Sequence, residues 1–173
     1  MAGDVKQLPA VASESGRRLR HDRSLMERLI VHHRYANVVT LVEQNRMAPT
    51  LLAFPNRAFY ESTLTTGPHA PAEGSVQWIL CDGAVEEAAG TSWINRVEAE
   101  ACAAACKDVK DDDDIVIISP YLAQCRLLLA QKTGKPVHSI DSFQGREADT
   151  IILSLVRNGT QGMGFLDDPR RMT

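Results

Sequence analysis

Residues 115–156 read IVIISPYLAQCRLLLAQKTGKPVHSIDSFQGREADTIILSLV, and this stretch decides the fold. IVIIS at 115–119 opens with four successive β-branched residues, the pattern of a strand buried on both faces. YLAQCRLLLAQKT at 121–133 reads as a helix, VHSID at 137–141 as a second strand, and DTIILSLV at 149–156 as a third. Apolar strands with a helix between them argue a βαβ unit in a parallel sheet covered on both faces. Between the last two strands lies a polar turn carrying Gln144, Gly145, Arg146 and Glu147. Ligands bind at the carboxyl ends of strands in open parallel sheets, so this turn is placed for binding or chemistry; a plain solvated connection is the alternative.

Upstream of this unit, SWINRVEAEACAAACKDV at 92–109 predicts an alanine-rich helix capped by Thr91 or Ser92, and the acidic run Asp111–Asp114 ends it as a solvated loop. VQWILCD at 76–82 predicts a strand, preceded by a loop at 61–74 that holds Gly67, Pro68, Pro71 and Gly74. Met47 to Tyr60 reads as a helix with Pro49 near its start and a break or kink possible at Pro55. NVVTLVEQNRM, from Asn37, reads as a strand running into a polar turn. Ser24 caps an expected helix to about Arg34, with Leu25, Leu29 and Ile30 at helical spacing and Glu27 three residues after the serine. Residues 1–23, polar and arginine-rich, read as loop or linker.

Composition bounds the class. A chain of 173 residues, 44% apolar and 24% charged, fits one ordinary globular domain. The net charge of -3 gives no overall basic field for nucleic acid, although a local basic groove stays open. Cys81, Cys102, Cys106 and Cys125 form no paired CxxC set and read as reduced intracellular thiols. Cys102 and Cys106, one helical turn apart, share a face and suit small core positions better than half a metal site. The histidines are scattered, His32 and His33 falling in the helical segment after Ser24. No signal-peptide core and no apolar run of about 18 residues occur, so no membrane is expected as a partner.

VHSIDSFQGREADTIILSLVRN, followed by GFLDDPRRM, resembles motifs V and VI in the second RecA-like domain of superfamily 1 helicases of the nonsense-mediated-decay and Okazaki-processing type. Three further segments carry the same resemblance in order. GDVKQLPA resembles their motif III, EQNRMAP their motif IV, and ISPYLAQ the T-P-Y-x-x-Q segment between motifs IV and V. The implied fold is α/β, a RecA-like parallel sheet flanked by helices: the P-loop NTPase fold of a second helicase domain lacking Walker A.

The resemblance implies roles residue by residue. ATP sits between two RecA-like domains, and arginines placed on its γ-phosphate are worth roughly 10³ to 10⁵ in rate. Arg46 would be one such arginine, and Gln7 would sense the γ-phosphate from the first domain. Gln144, Gly145 and Glu147 would form the motif V turn, with Gly145 allowing close backbone approach and Glu147 accepting from the nucleotide sugar. Ser119, Pro120 and Tyr121 would lie near the backbone of a single strand, with Ser139 and Ser142 beside them. Tyr121 equally suits an ordinary role as a ring packed at a helix start.

The departures are specific. No GxxxxGK[ST] occurs, and no strand ends in Asp-Glu, so the chain alone is expected to be inactive as an NTP hydrolase. Asn45 stands where motif IV carries the aromatic that stacks on adenine, Ala10 replaces the second proline of motif III, and Thr173 replaces an asparagine. The second arginine of motif VI would lie beyond Thr173. The expectation is the motif III tail of a first domain and a linker at 1–23, then a second RecA-like domain at 24–173, cut within motif VI. Its expected partners are single-stranded nucleic acid and a first RecA-like domain, with ATP and Mg2+ bound only by the complete two-domain protein, in nucleus or cytoplasm. The other reading is a non-catalytic nucleic-acid or protein interaction module derived from a helicase.

Overall fold

The computed structural model describes residues 2–8, 12–33, 37–109, 114–159, 162 and 166. Two compact units emerge, one within Met1–Trp78 and the other within Ile79–Asp168. Arg34, Ala10, Asp111 to Asp113, Thr173 and all of the motif VI stretch except Leu166 lie outside the described residues.

In the first unit, α1 (Glu14–Arg18) falls in the stretch expected to be loop. Two local devices make this single turn: the Ser13 hydroxyl accepts from the Gly16 amide, and Arg18 pairs with Glu14 one turn away. α2 (Leu25–His33) begins as expected, with Ser24 Oγ accepting from the Glu27 amide at 3.0 Å. β1 (Glu43–Gln44) precedes α3 (Pro49–Phe59), where Pro49 occupies the first turn, which needs no amide donor, and Leu52 is buried. Pro55 sits inside α3 without ending it. β2 (Thr65–Thr66) runs parallel to β1, Glu43 opposite Thr65 and Gln44 opposite Thr66.

Two expected strands in this part of the chain are corrected. Of NVVTLVEQ, Glu43 and Gln44 alone form a strand, and residues 37–42 are exposed. VQWILCD forms none: Trp78 is 79% and Leu80 87% exposed. Strand propensity describes fit to a half-buried pleated surface; the short β2 pairs only Glu43 and Gln44 of the first stretch, and among the described residues no strand pairs with the second.

The second unit opens with a hairpin, β3 (Glu87–Ala89) antiparallel to β4 (Ser92–Ile94). Its two-residue turn is Gly90-Thr91, with Gly90 at φ +64°. That hairpin corrects the expected helix start. Residues 92–94 are taken up by the strand, so α4 (Arg96–Asp108) is capped by Asn95, whose side chain accepts from the Glu98 amide at 3.1 Å. Ser92 instead accepts from the Ala123 amide and so serves the first turn of α5 (Leu122–Ala130).

β5 (Ile115–Ser119) is buried at all five positions. It lies between β6 (Val137–Ser139) and β7 (Thr150–Leu153) in a parallel sheet of order β6-β5-β7. Ile117 pairs with Val137 on one side and Ile152 on the other. The expected βαβ unit is thus present as β5-α5-β6, and the α/β, RecA-like reading of the fold holds. Ala99, Cys102, Cys106, Ile117 and Leu128 make one core, so the two cysteines of α4 face inward together. Burial pushes the Cys102 thiol up to about 12, in the direction of an inert thiol. A second cluster joins Tyr121, Val156 and Leu166, with Trp93 packed against it.

VHSID is shorter than expected. The strand stops at Ser139 because α6 (Ile140–Phe143) starts there with a reciprocal cap: the Ser142 amide donates to Ser139 Oγ, and the Ser139 amide to Ser142 Oγ. DTIILSLV is likewise a strand only from Thr150 to Leu153, although the Ser154 amide still donates to the Ile118 carbonyl.

Candidate functional site

β5, β6 and β7 are parallel and end on one edge of the sheet. At the ends of β5 and β6 that edge carries Ser119, Pro120, Tyr121, Ser139 and Ser142, followed by the turn 144–147, so the topology gathers eight of the expected residues in the second unit. In that turn the Arg146 amide donates to the Phe143 carbonyl at 3.0 Å. Gly145 sits at φ +81° with open space around its Cα, so glycine is required there by backbone conformation rather than by crowding. Gln144, Arg146 and Glu147 are exposed.

Not every expected contact residue presents its side chain. Ser119 and Tyr121 are buried, and Pro120 with them. Tyr121 packs in the cluster with Val156 and Leu166, as the second of the two roles weighed for it would have it. Ser142 is exposed and Ser139 half-buried, and both hydroxyls are engaged in the cap of α6.

Arg46 and Gln7 belong to the first unit. Arg46 is exposed on a turn built by the preceding glutamine: Gln44 Oε1 accepts from the amides of Arg46 (3.0 Å) and Met47 (2.9 Å), and Gln44 Nε2 donates to the Met47 carbonyl. Asn45, at the position where the motif IV resemblance expects an aromatic, has a structural task. Its Oδ1 accepts from the His69 amide at 3.0 Å, and a side chain at Gly67 would collide with it. Gln7 is exposed, in a segment tied to the end of α3: the Tyr60 hydroxyl donates to Asp4 Oδ2 at 2.6 Å, and Lys6 reaches the Phe59 carbonyl and the face of the Tyr60 ring. Burial first, then Asp4, pushes the Tyr60 hydroxyl up to about 12, while Gln7 pulls the other way.

The sequence reading missed a buried polar network behind the sheet edge. Gln124 is fully buried; its Oε1 accepts from the Asn95 amide, and its Nε2 donates to the Asn95 carbonyl and to Ser154 Oγ. Ser154 donates in turn to Glu98 Oε2 at 2.7 Å, which also accepts from the Val156 amide at 2.9 Å. Nearby, Glu86 pairs with Arg157 at 2.9 Å, both side chains almost fully buried, and accepts from the Asn158 amide. The guanidinium lies 4.3 Å over the Trp93 ring. Two signals pointed here: the glutamine of ISPYLAQ inside an apolar helix, and Glu98 three residues after Asn95 at a helix start.

Residues 21–173 match the model of an AAA domain family. The chain belongs to that family. It is 36% identical over 203 aligned positions to ATP-dependent helicase upf1 of Schizosaccharomyces pombe, covering 99% of this AAA domain chain and 22% of that protein. Against ATP-dependent helicase NAM7 of Saccharomyces cerevisiae the identity is 35%, with 99% of the chain and 21% of the relative covered. The Regulator of nonsense transcripts 1 homolog of Arabidopsis thaliana is 35% identical, over 99% of the chain and 16% of the relative. The chain therefore spans about a fifth of the length of the curated relatives it matches. The likeness to superfamily 1 helicases of the nonsense-mediated-decay type, first read from the motifs, holds for this AAA domain. Among the described residues no helix is long and apolar enough to cross a membrane.

Proposed function

We propose that this AAA domain serves as the second RecA-like half of an ATP-dependent helicase, lending nucleotide-sensing and strand-contacting groups to a cleft shared with a first RecA-like domain. The observation that carries the reading is the common edge on which β5, β6 and β7 end, where the Gly145 turn follows the Ser139–Ser142 cap. Relatives named as ATP-dependent helicases align over 99% of the chain, which supports it. Arg46 would bring positive charge to the γ-phosphate from a turn that Gln44 braces, and Gln7 would meet the same phosphate. Gln144, Gly145 and Glu147 would receive the nucleotide, and Ser139, Ser142 and the β5 end a single strand held without sequence preference. ATP and Mg2+ would be held only with the first domain present, in an intracellular protein of nucleus or cytoplasm.

Fluorescence anisotropy of a labelled single strand, RNA and DNA in turn, tests the reading over a range of salt. Salt-sensitive binding is expected, weakened by Ser142→Asp, which sets a negative charge against the phosphates. Absence of binding at low salt would overturn the strand-holding role. Asn45 favours a second reading, a non-catalytic interaction module, because this residue braces His69 instead of offering a ring to adenine. Binding of the strand by a complete two-domain protein that has no nucleotide affinity would select it.

A further inference from the structure

The chain leaves β7 through a conformation that a valine adopts only under constraint. Val156 is fully buried and sits at φ +70°. The Arg157 amide donates to the Leu155 carbonyl at 2.8 Å across it, which makes Val156 the centre of a three-residue turn with positive φ, the rare and strained γ form. For a β-branched residue this is a true outlier, of the kind that persists only where surrounding contacts over-determine it and that marks functional positions.

The constraints come from the start of α4 and from Glu86. The Val156 amide donates to Glu98 Oε2 at 2.9 Å, and its carbonyl accepts from Asn95 Nδ2 at 3.3 Å, so both backbone groups of the strained residue are taken by the first turn of one helix. On one side Ser154 is held by Glu98 and Gln124. On the other, Arg157 and the Asn158 amide are held by Glu86. Two acidic side chains thus hold Ser154, Val156, Arg157 and Asn158, in the five residues that directly follow β7.

We propose that Glu98, assisted by Glu86, is a positioning residue that holds the β7 exit in its strained turn and so sets the path of the chain away from the strand-facing edge of the sheet. The functional half of this inference rests on the helicase reading above; the conformational half does not.

The test uses the full chain and Glu98→Gln, which keeps the shape but removes the charge from the acceptor of Ser154 and Val156 and turns an amide toward Asn95. Amide-resolved hydrogen exchange should quicken at Val156, and at Arg157 and Asn158 as the turn loosens, by roughly tenfold or more, the scale of losing a charge-assisted hydrogen bond, while the Ile117 amide in β5 keeps its protection. Trypsin should cut after Arg157 faster than in the parent chain. The decisive arm adds Val156→Gly or Val156→Ala to Glu98→Gln. Both truncate the side chain, but glycine alone accepts positive φ, so the glycine double variant should regain protection at Arg157 and Asn158 and the alanine one should not. Unchanged exchange at Val156 in Glu98→Gln, equal loss of protection across the whole sheet, or identical behaviour of the two double variants would each overturn the clamp. In the anisotropy assay Glu98→Gln should weaken single-strand binding several-fold. If the parent chain binds no strand, the helicase reading falls while the exchange arms still decide the clamp; if the parent binds and Glu98→Gln binds equally, the positioning role is wrong.

Discussion

IVIIS at 115–119 and VQWIL at 76–80 are similar as sequence and opposite as structure. Both are short apolar runs with the composition of a strand. The first is buried at every position and paired on both sides; the second forms no strand and leaves Val76, Trp78, Ile79 and Leu80 exposed. The difference teaches that a strand is made by its neighbours. Burial of each isoleucine of β5 is worth roughly 1.5–3 kcal/mol, a gain that VQWIL lacks while its side chains face water.

The largest effect should come from the inside of that contrast. Ile117→Ala removes a fully buried side chain between Val137 and Ile152 and is expected to cost about 2–5 kcal/mol in urea unfolding followed by circular dichroism. A cost as small as that of a surface change would break the comparison. Next comes Gln124→Leu, which leaves the Asn95 amide and carbonyl buried without their partner. With roughly 1–3 kcal/mol at stake for each such group, a loss of at least about 2 kcal/mol is expected in the same assay. Full stability in Gln124→Leu would mean that the buried network is not what binds α4 to α5.

Trp78→Ser stands at the other pole, with an expected change within about 0.5 kcal/mol and a gain in solubility at high concentration. A cost of about 2 kcal/mol or more in that variant would show that VQWIL is packed after all. The smallest effect concerns pH. Tyr60 titrates at about 12 when folded, raised from 10.0 chiefly by burial and then by Asp4, so its contribution is complete below about pH 10 and is lost as pH rises through about 12. A tyrosinate absorbance titration, compared with Tyr60→Phe, should show a late-titrating component in the parent chain that is missing from the variant. Loss of an early-titrating tyrosine from the variant instead would show that neither burial nor Asp4 holds the Tyr60 hydroxyl up.

The core of the fold was legible because β5 is an almost wholly β-branched run and the polar turn after VHSID separates that strand from the next apolar run, DTIILSLV. Ser24, Pro49 and the inward pair Cys102 and Cys106 were legible for the same local reasons: capping, proline at a first turn, and helical spacing. What escaped was non-local. The helix expected from Ser92 starts after Asn95 because the hairpin claims Ser92–Ile94, and VHSID ends at Ser139 because two serines cap each other across α6. The candidate site was legible as a list of residues grouped by motif. Its burial was not: nothing in ISPYLAQ distinguishes a Tyr121 offered to a strand from one packed on Val156 and Leu166.

The sequence by itself therefore determined the parallel β5-α5-β6 unit, several helix starts and the family, because these rest on periodicity, local caps and motifs only a few residues long. Tertiary structure alone decided which apolar runs became strands and which polar side chains became internal braces. It also decided that a valine would sit at positive φ between Asn95 and Glu98. The physical reason is that pairing, burial and buried hydrogen bonds join residues tens of positions apart, and their strength depends on partners that no local window contains.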